Sequence, residues 1–580
     1  MLKKIVLLFL AAVLTASVCS CGSGENDGPE DSKTVEEINE VDMSGTIVNT
    51  EFADGIIPSV DELGISLDDY IRGGGKGDFS YAGNRGCKEL SVIKSPQYTL
   101  TVNETEVPVY STIVHDGTFQ KNILCSFAIV EIKDAKDVSL KAELTPQGFK
   151  LKNATVLPAA KEVAHAVTGG KVIMAIKEYG NFSVLVADGK KQDYSSDFSR
   201  EHSFTLFVRE YVDEDAEIAA LIERFGEDNV TVYEPGLHKF QYINIDSDDR
   251  ALYFRRGCYM FSEGREDYSE DNNYFEKHRG DDITWNLNRF PVINANGRKN
   301  IVIAGGGWID GGGLGWHERR GVLLSYCDGI DVHGITLFNM PEWSFITYVS
   351  QNIDVRDCRI YGFKSNSDGF AICNSKNATV TDCFARSGDD LFEIKTLGGP
   401  DYAVADNVTF TSCTAWASKA RCFGIIAETE KAVTNITFRD CYVIYRDSTW
   451  DNEFLGSLMV YCEKSKNPVN IDNILFENVE IFCDRGRAIN VKIEDEKAAP
   501  THVTNVRFKN ITYTSAMKNQ LYSPAGDYVQ NITLENVAAN GKLIARGTIL
   551  RIISISQARV TYLPSNNNCA RINSGEGVQM

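Results

Sequence analysis

One register runs through the second half of this chain and leaves few folds open to it. Counting six residues on from Asn352, Asn377, Asn407 and Asn435 lands on Cys358, Cys383, Cys413 and Cys441, and the same step from Asn473, Asn505 and Asn531 lands on Val479, Ile511 and Val537. The phrase in between is Asn, apolar, any, apolar, any, polar, then Cys or an aliphatic residue, as in Asn435-Ile-Thr-Phe-Arg-Asp-Cys441 and Asn531-Ile-Thr-Leu-Glu-Asn-Val537. Its period-two alternation makes each phrase a half-buried strand. The asparagines lie 25, 30, 28, 38, 32 and 26 residues apart, one turn of a parallel β-helix with loops of unequal length. An Asn repeated at one position can ladder through its amide from turn to turn. Leucine-rich repeats would show a leucine spacing and an intervening helical pattern that are absent. The expected fold class is all-β: a right-handed parallel β-helix preceded by an N-terminal β-sandwich-like domain.

Length agrees with two bodies, because 580 residues exceed what one core usually serves. Asn300-Ile-Val-Ile and Gly329-Ile-Asp-Val continue the register backward, and Ile243-Asn-Ile245 with Leu252-Tyr-Phe254 reads as an opening rung, so the β-helix is placed at 228–540. Residues 75–210 hold short alternating runs between Gly, Asn and Asp turns, such as Tyr98-Thr-Leu-Thr-Val102 and Phe204-Thr-Leu-Phe-Val208, the pattern of a β-sandwich. A short helix, Ala216 to Phe225, is expected in the linker 211–227. The register stops after Asn540, leaving 541–580 as a C-terminal tail of undefined structure.

The first residues read as an export signal. Lys3 and Lys4 precede an apolar stretch, Ile5 to Leu14, that is too short to span a bilayer. Val18-Cys-Ser-Cys21 resembles a bacterial lipobox, which implies removal of 1–20 and lipidation of Cys21, with a polar tether and lead-in over 21–74. The protein is therefore expected to be exported and lipid-anchored, periplasmic or at the cell surface, touching the membrane only through that anchor. A net charge of −21 disfavours nucleic acid and anionic surfaces as partners. Fifteen cysteines in an exported chain suggest disulfides. The four in register alternate with aliphatics, however, and so read as small buried core groups. No Cys/His cluster has zinc spacing. No metal, no cofactor and a monomer are expected.

Chemistry enters through the repeat offsets. Asp368 lies 16 residues after its asparagine, Asp389 and Asp390 lie 12 and 13 after theirs, Arg421 lies 14 after its own, and Lys492 lies 19 after Asn473. Similar offsets place these side chains on one lateral face, where stacked turns form a long groove suited to a polymer. Clustered carboxylates raise one another's pKa, which makes one acid and one base available near neutral pH. A lone Asp in a β-helix turn is more often a turn former; three at this spacing, flanked by Gly369 and Gly388, point to function. Lys395 and Glu428 are further candidates for substrate contact. Trp343, Trp416 and Tyr402 are candidates for stacking on sugar rings. The glycines at 305–307 and 311–313 read as tight turns, since no phosphate-loop Lys-Ser/Thr or helix follows.

The run Gly305 to Gly315, Gly334-Ile-Thr-Leu-Phe-Asn-Met-Pro-Glu-Trp343, Asn366-Ser-Asp-Gly369 and Gly388-Asp-Asp390 with Ile394-Lys395 resembles the polygalacturonases, glycoside hydrolase family 28, over about 300 residues. The resemblance implies an inverting hydrolase in which Asp389 is the general acid while Asp368 and Asp390 share the base role, with functional carboxylates about 6.5–9.5 Å apart. It implies Arg421, Lys492, Lys395 and Glu428 as substrate-binding residues and a polysaccharide or its oligosaccharides, pectic or related, as substrate. Two positions depart from the family. Ser418-Lys-Ala-Arg-Cys-Phe-Gly424 stands where Gly-His-Gly is usual, and Asn490-Val-Lys492 echoes only the lysine of Arg-x-Lys, with Arg487 as an alternative donor. The dextranase and isopullulanase group, family 49, also has three aspartates and an N-terminal sandwich, which keeps a neutral α-glucan open. Arg386, Lys395, Lys419 and Arg421 form a basic set that suits an acidic sugar. A β-helical polysaccharide lyase and a non-catalytic glycan-binding surface protein are the remaining readings.

Overall fold

The protein is described by a computed structural model covering residues 29–49, 51–53, 55–71, 90–117, 121–189, 193–264, 291–447, 455–463, 468–494, 501–523, 528–544, 550–553 and 560–563. The register asparagines are corners. Asn352, Asn377, Asn407, Asn435, Asn473, Asn505 and Asn531 have φ between 51 and 58°, the left-handed region that Asn tolerates better than other residues with a Cβ. Their amides ladder as expected: Asn407 donates to Asn377 at 2.9 Å, Asn473 to Asn435 at 2.7 Å and Asn531 to Asn505 at 3.1 Å. A second set of corners lies five residues on, where the phrase reads only "polar": Asp357, Asp382, Ser412, Asp440, Asn478, Asn510 and Asn536 all have positive φ. Two bends per phrase give three strands per turn. Val322–Ser325, Asp328–His333 and Thr336–Phe338 pair in parallel with Phe345–Tyr348, Gln351–Arg356 and Arg359–Tyr361 of the next turn.

Stacking brings like onto like. Phe410, Phe438, Phe476 and Phe508 occupy the same phrase position and stack with centroids 4.9, 4.8 and 5.0 Å apart, close to the spacing of strands in a sheet. Each is fully buried, stabilising the helix by about 1.5–3 kcal/mol apiece. Cys358, Cys383, Cys413 and Cys441 are likewise buried and unbridged, as the core reading expects. Strand pairing does not end at 540. Leu550–Ile553 pairs with Asn519–Tyr522 and Val560–Leu563 pairs with the strand Ile532–Ala539, so part of the expected tail is a further rung.

The N-terminal domain is two sheets, one of seven strands and one of five, closed over a core that includes Leu100, Leu144, Met174, Phe182 and Leu206. It starts well before 75. Thr46–Asn49 pairs with Lys121–Lys133, and the helix Pro29–Asn39 seats Ile38 against Ile173, so much of the segment expected as tether belongs to this domain. The linker helix spans Glu214–Phe225. The Asp213 side chain accepts from the Ala216 N–H to cap it, and Ile218 and Leu221 pack on Ala251, Tyr253 and Val302 of the first turns. Among the described residues no helix is long and apolar enough to cross a membrane.

Aromatic rings join the two domains. The seven-stranded sheet lies on the column of the β-helix that contains Thr336–Phe338 and Arg359–Tyr361, with Phe127 stacked on Tyr361 at 5.1 Å and Phe207 edge-on to Phe384 at 5.2 Å. Buried polar bonds fix the register of this interface. Asp310 accepts from the Ser91 N–H and hydroxyl at 2.8 and 2.6 Å and from the Tyr259 hydroxyl at 2.8 Å, and Arg209 pairs with Asp357.

Candidate active site

Three successive turns present one corner to the same groove. Asp368 lies between strands Arg359–Tyr361 and Phe370–Cys373, Asp389 and Asp390 between Phe384–Arg386 and Phe392–Thr396, and Arg421 between Thr414–Ala417 and Phe423–Thr429. Parallel pairing of Phe370 with Phe392 and of Phe392 with Phe423 keeps these corners about 4.8 Å apart along the axis. Close stacking requires the flanking glycines: a Cβ at Gly388 would lie 2.0 Å from the Lys364 carbonyl oxygen, and one at Gly369 2.3 Å from that of Leu391.

The three aspartates differ in their cations. Asp390 is 1% exposed and doubly held by Arg421, whose Nη1 and backbone N–H each donate at 2.9 Å. Asp368, 2% exposed, receives Lys395 Nζ at 3.1 Å on Oδ2, while its Oδ1 has no hydrogen-bond partner. Burial pushes the Asp368 carboxyl well above the usual range; Lys395 opposes this, and the charges of Glu393, Asp389 and Asp390 add to it. Asp389 is the half-buried one, and among the described residues no cation lies within ion-pair distance of it. Burial and the neighbouring Asp390 charge raise its carboxyl to about 6. A carboxyl still protonated in mildly acidic water, beside two that are ion-paired, is the division of labour acid/base catalysis needs.

A fourth carboxylate lies beneath them. Glu393 is fully buried, and an oxygen of Asp368, Asp390 and Glu393 can be chosen such that all three lie within 4.8 Å of one another. That spacing also suits a cation, and Lys395 already stands against two of the three, with its ammonium 3.1 Å from Asp368 and 3.2 Å from Glu393, and also 3.2 Å from Glu428. Glu428, with a side chain 43% exposed, opens toward the groove; burial raises its carboxyl, and Lys395 outweighs this and holds it below the usual range.

Residues 269–551 match the description of glycosyl hydrolases family 28. Over these residues the β-helix is similar to the family 28 glycoside hydrolases. Among curated proteins, a probable exopolygalacturonase B of Aspergillus flavus is 24% identical over 309 residues, covering 43% of this chain and 67% of its own length. A probable polygalacturonase of Arabidopsis thaliana is 22% identical over 293 residues, covering 46% of this chain and 60% of its own. Among solved structures, Dex49A from Penicillium minioluteum has a similar fold, with a TM-score of 0.55 and 11% identity over 83% of this chain and 96% of that one.

In the structure Asp368, Asp389, Asp390 and Arg421, which the sequence register places on one face, lie together, and Lys395 and Glu428 join them. Lys492 stands in the same outward column as Lys395 but three turns further, about 14 Å along the groove by strand spacing, with its ammonium 5.6 Å from the Tyr522 ring. Trp343 forms a wall of the site, with Lys395 4.1 Å over its ring. Two expectations fail. Arg386 faces the sandwich, donating to Ser203 Oγ at 2.8 Å and lying 3.6 Å over Trp416, so neither it nor Trp416 belongs to the groove. Both sit on the column that the sandwich covers. Tyr402 is 65% exposed on a turn, not packed into the site, and Arg487 donates to the Lys518 carbonyl at 2.6 Å. Cys21 lies outside the described residues. Glu393 was missed, although alternation along Phe392–Thr396 places 393 and 395 on the same outward face. A cavity of about 580 Å³, lined in part by Phe52, Ile57, Tyr98 and Tyr110, belongs to the N-terminal domain and holds none of these carboxylates.

The sandwich also supports the catalytic corner. A Cβ at Gly117 would lie 1.6 Å from the Ser418 carbonyl oxygen, and the adjacent Lys419 donates to Ser365 Oγ at 2.9 Å. Gly117→Ala is therefore expected to push back the corner that carries Arg421, lowering stability by about 1–3 kcal/mol and kcat/KM with it. Thermal melts and steady-state kinetics check this; wild-type values in both would show that the two backbones separate without effect.

Proposed function

We propose that the protein is an inverting hydrolase of pectic polysaccharides or their oligosaccharides. Support comes from the aspartate cluster, in which Asp389 is the carboxyl without a direct cation partner, and from the names of the relatives. In this reading Asp389 protonates the glycosidic oxygen as the bond to the anomeric carbon breaks. Asp368 and Asp390, ion-paired with Lys395 and Arg421, take the proton of the water that attacks the opposite face. Trp343, Glu428 and, further along, Lys492 line the subsites. Export with a lipid anchor at Cys21 belongs to the same proposal and rests on the Met1–Cys21 pattern; action as a monomer on a glycan, and not on nucleic acid, is a further part of it.

A neutral α-glucan is the second reading, favoured by two observations. Arg421 is committed to Asp390, and the buried Asn490, which donates to the Leu455 carbonyl at 3.1 Å, stands where family 28 usually has the arginine of Arg-x-Lys. A reducing-end assay over polygalacturonic acid, its oligomers, dextran and other α-glucans decides between the two. Proton NMR of the first product anomer tests inversion. An unsaturated product absorbing in the ultraviolet would replace both readings with a lyase, and no product from any glycan would leave a binding protein.

A further inference from the structure

Glu393 occupies the middle of the groove floor, and neither the family comparison nor the acid/base scheme gives it a role. Its side chain points outward from Phe392–Thr396, with Ala371 opposite it on one neighbouring strand and Gly424 on the other. These two small residues leave the space into which the carboxylate is packed. It is 0% exposed, and neither oxygen makes a hydrogen bond; Lys395 Nζ lies 3.2 Å from Oε2 in ion contact but outside hydrogen-bond geometry. The charged and titratable groups that face it are Asp368 and Cys373 from the preceding turn, Asp390 and Lys395 from its own, and Glu428 from the following one. Asp389 and Arg421 complete the cluster, so five carboxyl groups lie about Lys395 and Arg421, with Lys419 facing Asp389 from its edge.

An excess of buried negative charge is relieved by binding protons. A fully buried carboxyl that has no hydrogen bond holds a proton readily, and a proton there supplies a donor where Asp368 Oδ1 and both Glu393 oxygens have none. We propose that Glu393 is a positioning residue, a neutral carboxylic acid in the working enzyme, whose proton leaves the Lys395 ammonium to Asp368 and so keeps the base anionic. Burial raises the Glu393 carboxyl to about 8, against the opposing pull of Lys395 and with the charges of Asp390 and Glu428 adding to it. Above that pH the ionised Glu393 competes for Lys395 and repels Asp368. The assignment to Asp368 rests on the hydrolase reading; the proton on Glu393 does not.

Glu393→Gln separates the two. A group whose folded pKa is raised binds a proton on folding, so its stabilising contribution is complete below the unfolded value and is lost as pH rises through the folded one. The folding constant of the Gln variant, relative to wild type, is therefore expected to grow by about tenfold per pH unit between the ordinary Glu range and pH 8, and to level off above it. Denaturant titrations at a series of pH values read this without any substrate. A ratio that does not change with pH overturns the buried proton, whatever the enzyme's activity. In kinetics, wild-type kcat/KM is expected to steepen above pH 8 from a one-proton to a two-proton fall, while Glu393→Gln keeps the one-proton slope. Parallel slopes, with the stability titration as expected, would overturn the action through Lys395 and Asp368.

Discussion

Asp389→Asn is expected to lower kcat by about 10²–10⁴-fold, the contribution of a positioned general acid, with fold and glycan binding retained. Asn matches Asp in shape and keeps the acceptor that takes the Asp390 N–H at 3.0 Å, but it has no acidic proton to give. Removing a carboxyl that burial and Asp390 hold at about 6 also relieves like-charge repulsion, so the melting temperature is expected to stay level or rise. Substrates with a leaving group that departs without protonation are expected to recover most of the lost rate in Asp389→Asn and none of it in Asp368→Asn, because only the first variant lacks the acid. Reducing-end and chromogenic assays on the two variants measure this. A variant that keeps more than a tenth of wild-type kcat on the natural glycan would remove Asp389 from the acid role.

Lys395→Met carries the second large effect, and it falls on stability. The ammonium, its side chain 3% exposed, is the shared cation of Asp368, Glu393 and Glu428. Breaking a buried ion pair by deleting one partner costs about 3–5 kcal/mol, because the charge left behind has neither water nor a counterion. Without Lys395 the carboxyls of Asp368 and Glu393 shift further upward, so the folded variant binds more protons than the unfolded chain. The sign follows: the deficit is expected to be largest above neutral pH and to shrink as pH falls and these carboxyls become neutral. Urea titrations at pH 5 and pH 8 check both size and sign. Equal stability of variant and wild type at pH 8 would show that the cluster is not held together by this cation.

Much of the site was legible because a parallel β-helix turns sequence period into spatial adjacency. Residues 21 and 22 apart, Asp368 with Asp389 and Asp390, become neighbours once the turns that carry them are stacked, and Arg421 joins them by the same rule. The second set of corners was hidden in plain polar positions, because Asp, Ser and Asn there serve a left-handed bend as well as a strand surface. Arg386 illustrates a different limit. It lies three residues before Asp389 and reads as part of the same basic set, yet its column faces the sandwich, and no local pattern reveals which face another domain covers. The early start of the sandwich was missed for a similar reason, since Thr46–Asn49 pairs with a strand more than 70 residues away. Glu393 lay on the correct face by alternation, but alternation does not distinguish a groove floor open to solvent from one roofed by other side chains.

Sequence by itself determined the β-helix, its corner asparagines and the gathering of three aspartates at one edge, because each follows from a repeat whose length is one turn. Only the tertiary structure decided which aspartate is left without an ion-pair partner among the described residues, that Arg421 serves Asp390, and that Lys395 is shared among Asp368, Glu428 and a buried Glu393. Those facts depend on side-chain direction, burial and contacts between turns and domains. Electrostatic strength in a dry interior is set by distances of a few ångströms, which a repeat period does not specify.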